Sequence, residues 1–598
     1  MINSTARSIL AVDCGSVNTT AVLIEQPAGQ YRLVATGQTA STYDAPWENI
    51  TLGVTEAIRQ IETATGREIL APGGWPMTPQ SSSQRGVDLF VVVSSAGPPL
   101  RLALAGAMQS ISLASARRAA ATTHTTITNV LALDGGQSTS AEARLQAIQR
   151  ANPDVILLVG GTDNGADRPV LDMANTLAMA MRLMKDTVKP HLLYAGNSSL
   201  RERIAQMLGS ITSLNAVDNI RPTLEVENLV PTQLALESLY IERRMSRLPG
   251  FQKLANWTQQ PVEPVSKSFE KVITYVGRHN RLNVIGVNIG SGSSFVSVCA
   301  QDTQGLTLRS DAGVGHGLAA LLRSVPAARM QRWLPFEMTP AELYNHLLNK
   351  SLHPASIPTM YEDLMIEYAV AREAIRLVMA QARPGWSGPS SGGRADIPWN
   401  LLIGAGRTLT HAPHPGHAAM ILLDGLEPWG VTSLALDISG LTNLLGAVAA
   451  VQPVAAVEVG SRDAFLNLGT VIAPLGHGTP GKAALKLKMR AAASAGHAEL
   501  PPVELEVPYG AIELIELPPG QKAILEIRPA RHFDIGLGQP GRGAVTEVEG
   551  GFLGIVIDAR GRPLRLAEDD GQRYELLNQW FSKLDPNYAT AGQNNQSQ

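Results

Sequence analysis

The sequence predicts a two-lobed α/β fold followed by a small β domain, and three observations support this prediction. Residues 9–24 and 284–298 each read as an apolar strand, a Gly-Ser turn and a second apolar strand, so one plan occurs twice. After each copy, short apolar runs alternate with helical patterns, which is typical of mixed α/β domains. Beyond residue 476 the pattern changes to short period-2 runs between turns, which predicts an antiparallel sheet.

Length and composition narrow the class of protein. A chain of 598 residues exceeds what one hydrophobic core usually supports, so several domains are expected. Lys and Arg number 49 against 52 Asp and Glu, a net charge of −3 that offers no broad basic surface for nucleic acid or an anionic membrane. The two cysteines, Cys14 and Cys299, provide neither a disulfide framework nor zinc-ligand spacing. Because no signal-peptide pattern and no long apolar run is visible, the sequence predicts a cytoplasmic protein.

Residues 1–244 are predicted to form the first lobe. The first hairpin is followed by a third strand near residue 31 and by a helix over 47–61 with apolar residues at helical spacing. Continuous apolar runs near residues 88, 154 and 191 indicate buried strands that alternate with helices. A hairpin followed by alternating strands and helices predicts ligand loops at the strand C-termini.

The rest of the chain divides by composition. Residues 245–280 carry several prolines and no sustained periodicity, so a connector is expected there. The second lobe is predicted over 281–475, with its own hairpin, a mostly helical stretch and a buried strand that ends in Gly-x-Gly. A β-rich domain is predicted over 476–566, and a short helix with a disordered tail over 567–598.

The two Gly-Ser turns are the predicted binding elements. In each, a polar residue ends the strand and glycine follows two residues later, as Asp13 with Gly15 and Asn288 with Gly290. Backbone amides of such turns can surround phosphate oxygens, and glycine permits close approach. The pair therefore predicts two lobes that clamp one nucleotide. The predicted phosphate contacts are Gly15, Ser16, Asn18, Thr19, Asn288, Gly290, Gly292, Ser293 and Ser294.

Asp13 is the predicted ligand of a magnesium ion opposite the phosphates, and it is also a candidate catalytic carboxylate. The alternative interpretation is an Asx-turn that only closes the hairpin.

Two further glycine-rich strand ends are candidate parts of the site. In Gly160-Gly161-Thr162-Asp163, the threonine and the aspartate are placed to hold phosphate, metal or water, and Asp163 is the candidate for positioning water. The alternative is a helix N-cap at Asp163. In Gly404-Ala405-Gly406, the small residues allow a nucleoside to lie against the backbone, and the alternative is a plain strand–helix turn.

Two other motifs are rejected. His411, His414 and His417 are separated by two prolines, so they do not share a helix face, and a rigid loop is preferred to a metal site. The segment Gly476–Ala483 mimics a phosphate loop, but its last position lacks a hydroxyl and a strand pattern follows instead of a helix.

Several segments together resemble the actin/Hsp70/sugar-kinase superfamily and, more narrowly, the MutL family of the glutamate mutase system. The segments are residues 12–19, 94–101, 158–165 (Leu-Val-Gly-Gly-Thr-Asp-Asn-Gly), 194–197, 403–406, 410–413 (Thr-His-Ala-Pro) and 423–428. The resemblance implies a two-lobed actin-like ATPase fold, that is, a duplicated ribonuclease-H-like fold. It also implies an ATP-binding accessory protein that acts as a reactivating chaperone of an adenosylcobalamin-dependent mutase.

The chain departs from the family pattern where charge matters. The family's first loop continues with lysine where this chain has Thr20, and its second loop carries two acids where this chain has Asn288 and Phe295. Arg407 stands where a second glycine is common. The chain thus lacks the lysine and the two acids, which are groups that coordinate metal, orient water or neutralise phosphate. Nucleotide binding is therefore favoured over hydrolysis. Two alternatives stay open, an actin-like scaffold or filament protein with a structural nucleotide and a small-molecule kinase.

Overall fold

A computed structural model describes residues 6–134, 141–185, 189–300, 303–386, 397–491 and 498–588. The predicted disordered tail at 591–598 lies outside the described residues. Among the residues described, no helix combines the length and the apolar character needed to cross a lipid bilayer.

The first hairpin forms as predicted, and its helix begins and ends a few residues later than predicted. The elements are β1 (Ser8–Cys14), β2 (Asn18–Glu25), β3 (Arg32–Ala40), α1 (Ile50–Thr65) and β4 (Leu89–Ser94). Helix α1 begins where the Asn49 side chain accepts a hydrogen bond from the Thr51 amide, and it ends at Gly66 in the left-handed conformation, φ 71°. The buried face of α1 contains Val54, Ile58 and Ile61.

A second sheet follows within the range predicted as one lobe. Its elements are β5 (Leu100–Gly106), α2 (Ser112–Ala120), β6 (Thr125–Ala132), α3 (Ala141–Ala151), β7 (Val155–Val159), α4 (Arg168–Arg182), β8 (His191–Tyr194), α5 (Arg201–Leu208), β9 (Leu214–Ala216), α6 (Val230–Arg243) and α7 (Phe251–Ala255). All its strands are parallel, in the order β6-β5-β7-β8-β9. Since the strands of such a sheet are covered on both faces, they read as continuous apolar runs. One face packs in the same core as β1 and α1, and the other packs against α4 and α5.

The second half repeats the first hairpin and adds a longer sheet. Its elements are β10 (Glu263–Pro264), α8 (Val265–Asn280), β11 (Val284–Ile289), β12 (Ser294–Ala300), β13 (Thr303–Arg309), α9 (Leu318–Ser324), α10 (Ala327–Gln331), α11 (Pro340–Leu352), α12 (Tyr361–Ala382), β14 (Leu401–Ala405), α13 (Arg407–Thr410), α14 (Pro415–Leu426), β15 (Gly430–Leu436), α15 (Thr442–Val451), α16 (Pro453–Arg462) and β16 (Leu466–Ala473). Strand β10 pairs with β4, so the first sheet has the order β10-β4-β1-β2-β3.

The expected connector at 245–280 is not a plain linker, because it contains the 16-residue helix α8. Val265, Phe269 and Ile273 recur every fourth residue and are buried, which is the spacing of one helix face. This short stripe follows a proline-rich stretch, and that stretch hid the period in the sequence.

The C-terminal region contains β17 (Ala483–Ala491), β18 (Leu500–Pro508), β19 (Ile512–Ile515), β20 (Lys522–Pro529), β21 (Ala544–Glu549), β22 (Ile555–Asp558) and α17 (Asp570–Leu584). Four of its strands form an antiparallel sheet in the order β18-β17-β20-β21, as the alternating pattern predicted. The other two join the second lobe, whose eight-stranded sheet has the order β13-β12-β11-β14-β15-β16-β22-β19. The β-rich region is therefore joined to the second lobe, because two of its strands belong to the sheet of that lobe.

Helices α8 and α15 lie between the sheets of the two lobes. Their apolar residues share one core with Ile9 and Val91 of the first sheet and with Val284 and Ile403 of the second. In both sheets a hairpin is antiparallel and its first strand pairs in parallel with the strand beyond, β1 with β4 and β11 with β14. This duplicated topology confirms the predicted two-lobed actin-like fold.

Candidate functional site

The two glycine turns have the same backbone geometry. The Gly15 amide donates to the Asn18 carbonyl oxygen at 2.9 Å, and the Gly290 amide donates to the Ser293 carbonyl oxygen at 3.0 Å. A Cβ would lie 2.7 Å from that oxygen in the first turn and 2.6 Å in the second. Only glycine avoids this clash with backbone, so the repeated glycines have the same steric cause.

The two turns face each other across one cavity. A Cβ added at Gly292 would lie 3.5 Å from Ser16 Oγ, so the two turns approach each other closely. The cavity has a volume of about 760 Å³, a size typical of small-molecule sites. Its lining at this end includes Asp13, Gly15, Ser16, Val17, Asn18, Asn288, Gly290 and Ser291.

An asparagine of α15 connects the polar residues that begin the two turns. Asn443 Nδ2 donates to Asp13 Oδ2 at 2.9 Å, and Asn443 Oδ1 accepts from Asn288 Nδ2 at 2.8 Å. The Asp13 Oδ1 atom is shielded from solvent and has no hydrogen-bond partner in the described residues. A carboxylate oxygen in this state calls for a cation or a donor from a bound ligand.

Burial raises the pKa of Asp13 to about 6, although the Asn443 hydrogen bond and the Arg407 charge pull it down. Asp437, also on the cavity wall, adds to the rise. Burial likewise raises the pKa of Asp437, whose two oxygens accept from the amides of Leu441 at 2.9 Å and Thr442 at 2.7 Å. Asp437 thus caps the start of α15, while Asp13 keeps one oxygen free.

Arg407 approaches the first turn from the second lobe. With the Asn18 amide oriented to accept, Arg407 Nε and Nη1 lie 3.1 Å and 3.0 Å from its oxygen. Burial lowers the pKa of Arg407, and the nearby Asp13 carboxylate opposes that shift. The position where the sequence departs from the family pattern therefore places a cation beside the first turn.

Aromatic residues and a histidine form the far end of the cavity. His417 Nδ1 lies 3.1 Å from the Tyr368 hydroxyl, and His417 Nε2 lies 3.0 Å from Asp585 Oδ2. Burial lowers the pKa of His417, and the Asp585 carboxylate opposes that shift. Tyr361 and Tyr588 contact each other through their hydroxyls and also line this end.

Other predicted contacts point away from the cavity. The Thr19 side chain is buried and lies against α1, since a Cβ at Gly53 would lie 3.0 Å from Thr19 Oγ1. Ser294 Oγ donates to the Ala312 carbonyl oxygen at 2.7 Å and is fully buried. Thr19 and Ser294 occupy equivalent places, since each pairs with the last residue of the preceding strand, Cys14 or Ile289. Alternation along the strand turns both side chains to the packed face of the sheet.

Of the predicted nucleoside loop, Gly406 alone lines the cavity among the residues described. A Cβ at Gly404 would meet Leu422 and Leu409 at 2.9 and 3.1 Å, so this glycine serves packing against α13 and α14. Ala405 is buried in the core between the lobes. Gly406 has φ 98°, and a Cβ there would lie 2.2 Å from the Ile289 carbonyl oxygen, so the turn can pass β11 only as glycine.

The structure does not bring Gly160, Gly161, Thr162 and Asp163 to this cavity. They follow β7 of the parallel sheet, and they are absent from the cavity lining. Asp163 Oδ1 instead accepts from the Ser198 amide and from Asn219 Nδ2, both at 2.9 Å. Against partial burial, these hydrogen bonds lower the pKa of Asp163. Asp163 thus lies in a different sheet from Asp13 and outside this cavity, and its predicted role in positioning water stays a prediction.

Phe295 packs in the core between the lobes, with its ring 5.2 Å from that of Phe269. The equivalent residue in the first hairpin is Thr20, which pairs with Asp13 as Phe295 pairs with Asn288. Thr20 is half-exposed and lines the cavity. Sequence reasoning missed Asp437 and Asn443 as wall residues. The sequence does mark Asp437, because it follows an apolar strand as Asp13 does. No comparable sequence pattern marks Asn443.

The donor set at Asp13 fits a magnesium ion. Magnesium prefers carboxylate oxygens, keeps several waters, and binds through one or two carboxylates together with substrate phosphates. The described residues contain no cluster of three or more His, Cys, Asp or Glu side chains that would hold a metal without such a ligand. A single free Asp13 oxygen matches a metal that arrives with a phosphate group.

Comparisons with known proteins agree with the predicted family. A family model described as MutL protein matches residues 9–464. Protein MutL of Clostridium tetanomorphum is 22% identical over 351 residues, covering 54% of this chain and 73% of the relative.

Among solved structures, nucleotide-free acetone carboxylase is 11% identical with a TM-score of 0.35, covering 84% of this chain and 81% of that one. The activator of 2-hydroxyisocaproyl-CoA dehydratase from Clostridium difficile, solved with ADPNP, is 9% identical with a TM-score of 0.26. The match covers 74% of this chain and 94% of the activator. Because the family model spans most of the chain, this protein belongs to the MutL protein family.

Proposed function

We propose that this MutL family member binds ATP or ADP, together with Mg²⁺, in the cavity between its two glycine turns. The observation that carries the proposal is the Asp13 Oδ1 atom, a buried carboxylate oxygen without a partner at the point where both turns meet. In the described residues, the amides of Ser16, Val17, Ser291 and Gly292 have no hydrogen-bond acceptor either. Free amides in two turns that meet at the cavity of Asp13 suit a polyphosphate that carries a magnesium ion.

The residues present suit binding more than hydrolysis. Magnesium, when bound, would screen phosphate charge, and Asp13 would hold it. At the second turn the corresponding residue is Asn288, whose amide is hydrogen-bonded to Asn443. An amide cannot take a proton from water, so this turn offers no general base. We therefore propose that the nucleotide serves chiefly as a conformational ligand, with slow or no turnover.

The proposed role is that of an accessory protein. Both lobes contact the same ligand in this arrangement, so binding favours one relative orientation of the lobes and changes the surface shown to a partner. By family resemblance, we propose that the partner is an adenosylcobalamin-dependent mutase and that this protein acts as its nucleotide-dependent chaperone or reactivator.

Calorimetric titration with Mg-ATP and Mg-ADP tests the nucleotide site. We expect the wild type to bind both nucleotides, and Asp13→Ala to bind Mg-ATP at least about 10-fold more weakly, as for loss of a metal-binding group. Asp163→Ala is the matched control, because it removes an aspartate that lies outside the cavity. Equal binding by the wild type and Asp13→Ala would contradict the proposed site.

Two further measurements test the role. Phosphate release by the purified protein should be slow, and brisk turnover would contradict a mainly conformational nucleotide. Co-elution with an adenosylcobalamin-dependent mutase should differ between Mg-ATP and Mg-ADP. Light scattering that rises with ATP in the absence of any partner would favour the filament alternative instead.

A further inference from the structure

The phosphate end of the cavity lacks positive charge from the turns themselves. Neither 14–20 nor 289–295 contains Lys or Arg. Two carboxylates, Asp437, which is buried, and Asp13, which is partly buried, line the same cavity. A polyphosphate that enters between them meets more negative charge, so its affinity depends on a cation supplied from elsewhere.

Within the described residues, Lys350 and Arg407 are the cationic side chains that line the cavity. Lys350 is already engaged, since its Nζ lies 3.3 Å from Glu367 Oε2 and also donates to the Ser356 carbonyl oxygen. Arg407 forms no ion pair within 4 Å in the part of the chain that the structure describes. Its contact is the neutral Asn18 amide oxygen, at 3.0–3.1 Å. The charge of Arg407 is therefore available to a ligand.

The backbone places Arg407 at the first turn. Gly406 lets the chain turn directly against the Ile289 carbonyl oxygen, and Arg407 follows as the first residue of α13. Its contact Asn18 closes the first turn by accepting from the Gly15 amide through its carbonyl oxygen. A guanidinium at this position belongs to the second lobe and reaches the binding element of the first.

We propose that Arg407 binds the terminal phosphates of the nucleotide and supplies the positive charge that neither glycine turn carries. The inference rests on the proposed nucleotide site and names one of its specificity-determining residues. A guanidinium presents parallel N–H donors that match phosphate oxygens in a bidentate pair. On binding, the phosphate would replace the Asn18 oxygen as acceptor. Arg407 then favours nucleotides with more phosphates over those with fewer.

Calorimetry with ATP, ADP and adenosine tests this assignment. Arg407→Ala should weaken Mg-ATP by about 10- to 100-fold, the range expected for charged hydrogen bonds, and adenosine by less than about 3-fold. Arg407→Lys keeps the charge but not the fork, so its loss should be smaller than that of the alanine variant. The double variant Thr20→Lys/Arg407→Ala is the rescue, because Thr20 lines the same cavity and a lysine there restores a cation. We expect it to regain most of the lost ATP affinity.

The outcomes separate this inference from the proposed function. If the wild type binds no nucleotide, the nucleotide site itself is wrong. If the wild type binds Mg-ATP and Arg407→Ala binds it equally well, Arg407 is not a phosphate ligand. Equal weakening of ATP and adenosine would show that Arg407 only holds the fold, and thermal melts of each variant check folding directly. Failure of the double variant to bind better than Arg407→Ala would contradict charge as the cause.

Discussion

The first and second glycine turns have the same backbone and different chemistry. Both close with one hydrogen bond from glycine to the carbonyl three residues later. In the first turn, one carboxylate oxygen of Asp13 has no hydrogen-bond partner in the described residues. In the second turn, the side-chain amide of Asn288 donates a hydrogen bond to Asn443. Residues opposite them in the hairpins differ as well, since Thr20 lines the cavity and Phe295 fills the core.

The loop after β13 packs directly on the second turn. The Ser291 carbonyl oxygen accepts from the amides of Gly315 at 3.0 Å and Gly317 at 2.9 Å, and Ser291 Oγ accepts from the His316 amide at 3.0 Å. The loop after β13 thus holds the second turn in place. The two turns thus share one backbone shape, while a free carboxylate oxygen lies at the first turn and packing contacts hold the second.

Substitution of the equivalent residues Phe295 and Thr20 should give the largest difference in the free energy of unfolding. Phe295→Ala removes a buried ring that packs on Phe269, and we expect a loss of about 3–5 kcal/mol in the free energy of unfolding. Thr20→Ala changes a half-exposed side chain and should cost less than about 0.5 kcal/mol. Denaturant unfolding of the two variants measures the contrast. Similar losses for both would show that the two hairpins are equivalent after all.

Asp13→Asn should stabilise the nucleotide-free protein, and increasingly so as pH rises. The folded pKa of Asp13 is about 6 against an ordinary 3.8, so the folded state holds the proton more tightly than the unfolded state. Ionisation of Asp13 therefore costs stability as pH rises from about 4 to about 6, and the cost levels off at about 3 kcal/mol at higher pH. The asparagine variant is neutral throughout and escapes this cost.

Thermal unfolding of Asp13→Asn and wild type at pH 5 and pH 8 checks this prediction. The gap in melting temperature should be larger at pH 8. Asp163→Asn is the control with opposite sign, because hydrogen bonds lower the pKa of Asp163 and its charged form stabilises the fold. A pH-independent gap for Asp13→Asn would contradict burial as the cause of the raised pKa.

The two turn glycines should respond alike. Gly15→Ala and Gly290→Ala each force a Cβ to within 2.7 Å or less of a backbone carbonyl oxygen, so each turn must open. We expect losses of about 1–3 kcal/mol for each variant and weaker nucleotide binding in both. A large effect in one turn and none in the other, seen by thermal melts and calorimetry, would contradict the shared backbone geometry.

The serines of the two turns, Ser16 and Ser291, should give the smallest contrast, and it is tested with Ser291→Ala and Ser16→Ala. Ser291→Ala removes the acceptor for the His316 amide in the second turn and leaves the backbone contacts of Ser291 in place. The expected loss is about 0.5–1.5 kcal/mol, which is the usual value of one hydrogen bond. Ser16→Ala, at the matching place in the first turn, should cost less, and near-equal losses in denaturant unfolding would show that both turns are anchored alike.

Much of the fold was visible in the sequence, and so was the core of the candidate site. The repeated hairpin predicted both lobes, and Gly15 and Gly290 occupy equivalent turns. The separate parallel sheet was not foreseen, because β5 and β7 read locally like strands that continue the first sheet. Thr19 and Ser294 were assigned to the cavity on residue type, yet strand alternation turns both side chains into packed faces.

The sequence by itself determined the two turns, since a glycine bend after an apolar strand depends only on neighbours a few residues away. Tertiary structure alone decided what surrounds them. Asn443 and Arg407 come from helices more than 380 residues beyond Asp13 in the numbering, and they meet it only because α8 and α15 bring the two sheets together. Local patterns encode backbone shape, whereas the charge and partners of a site depend on which distant side chains the packed core delivers to it.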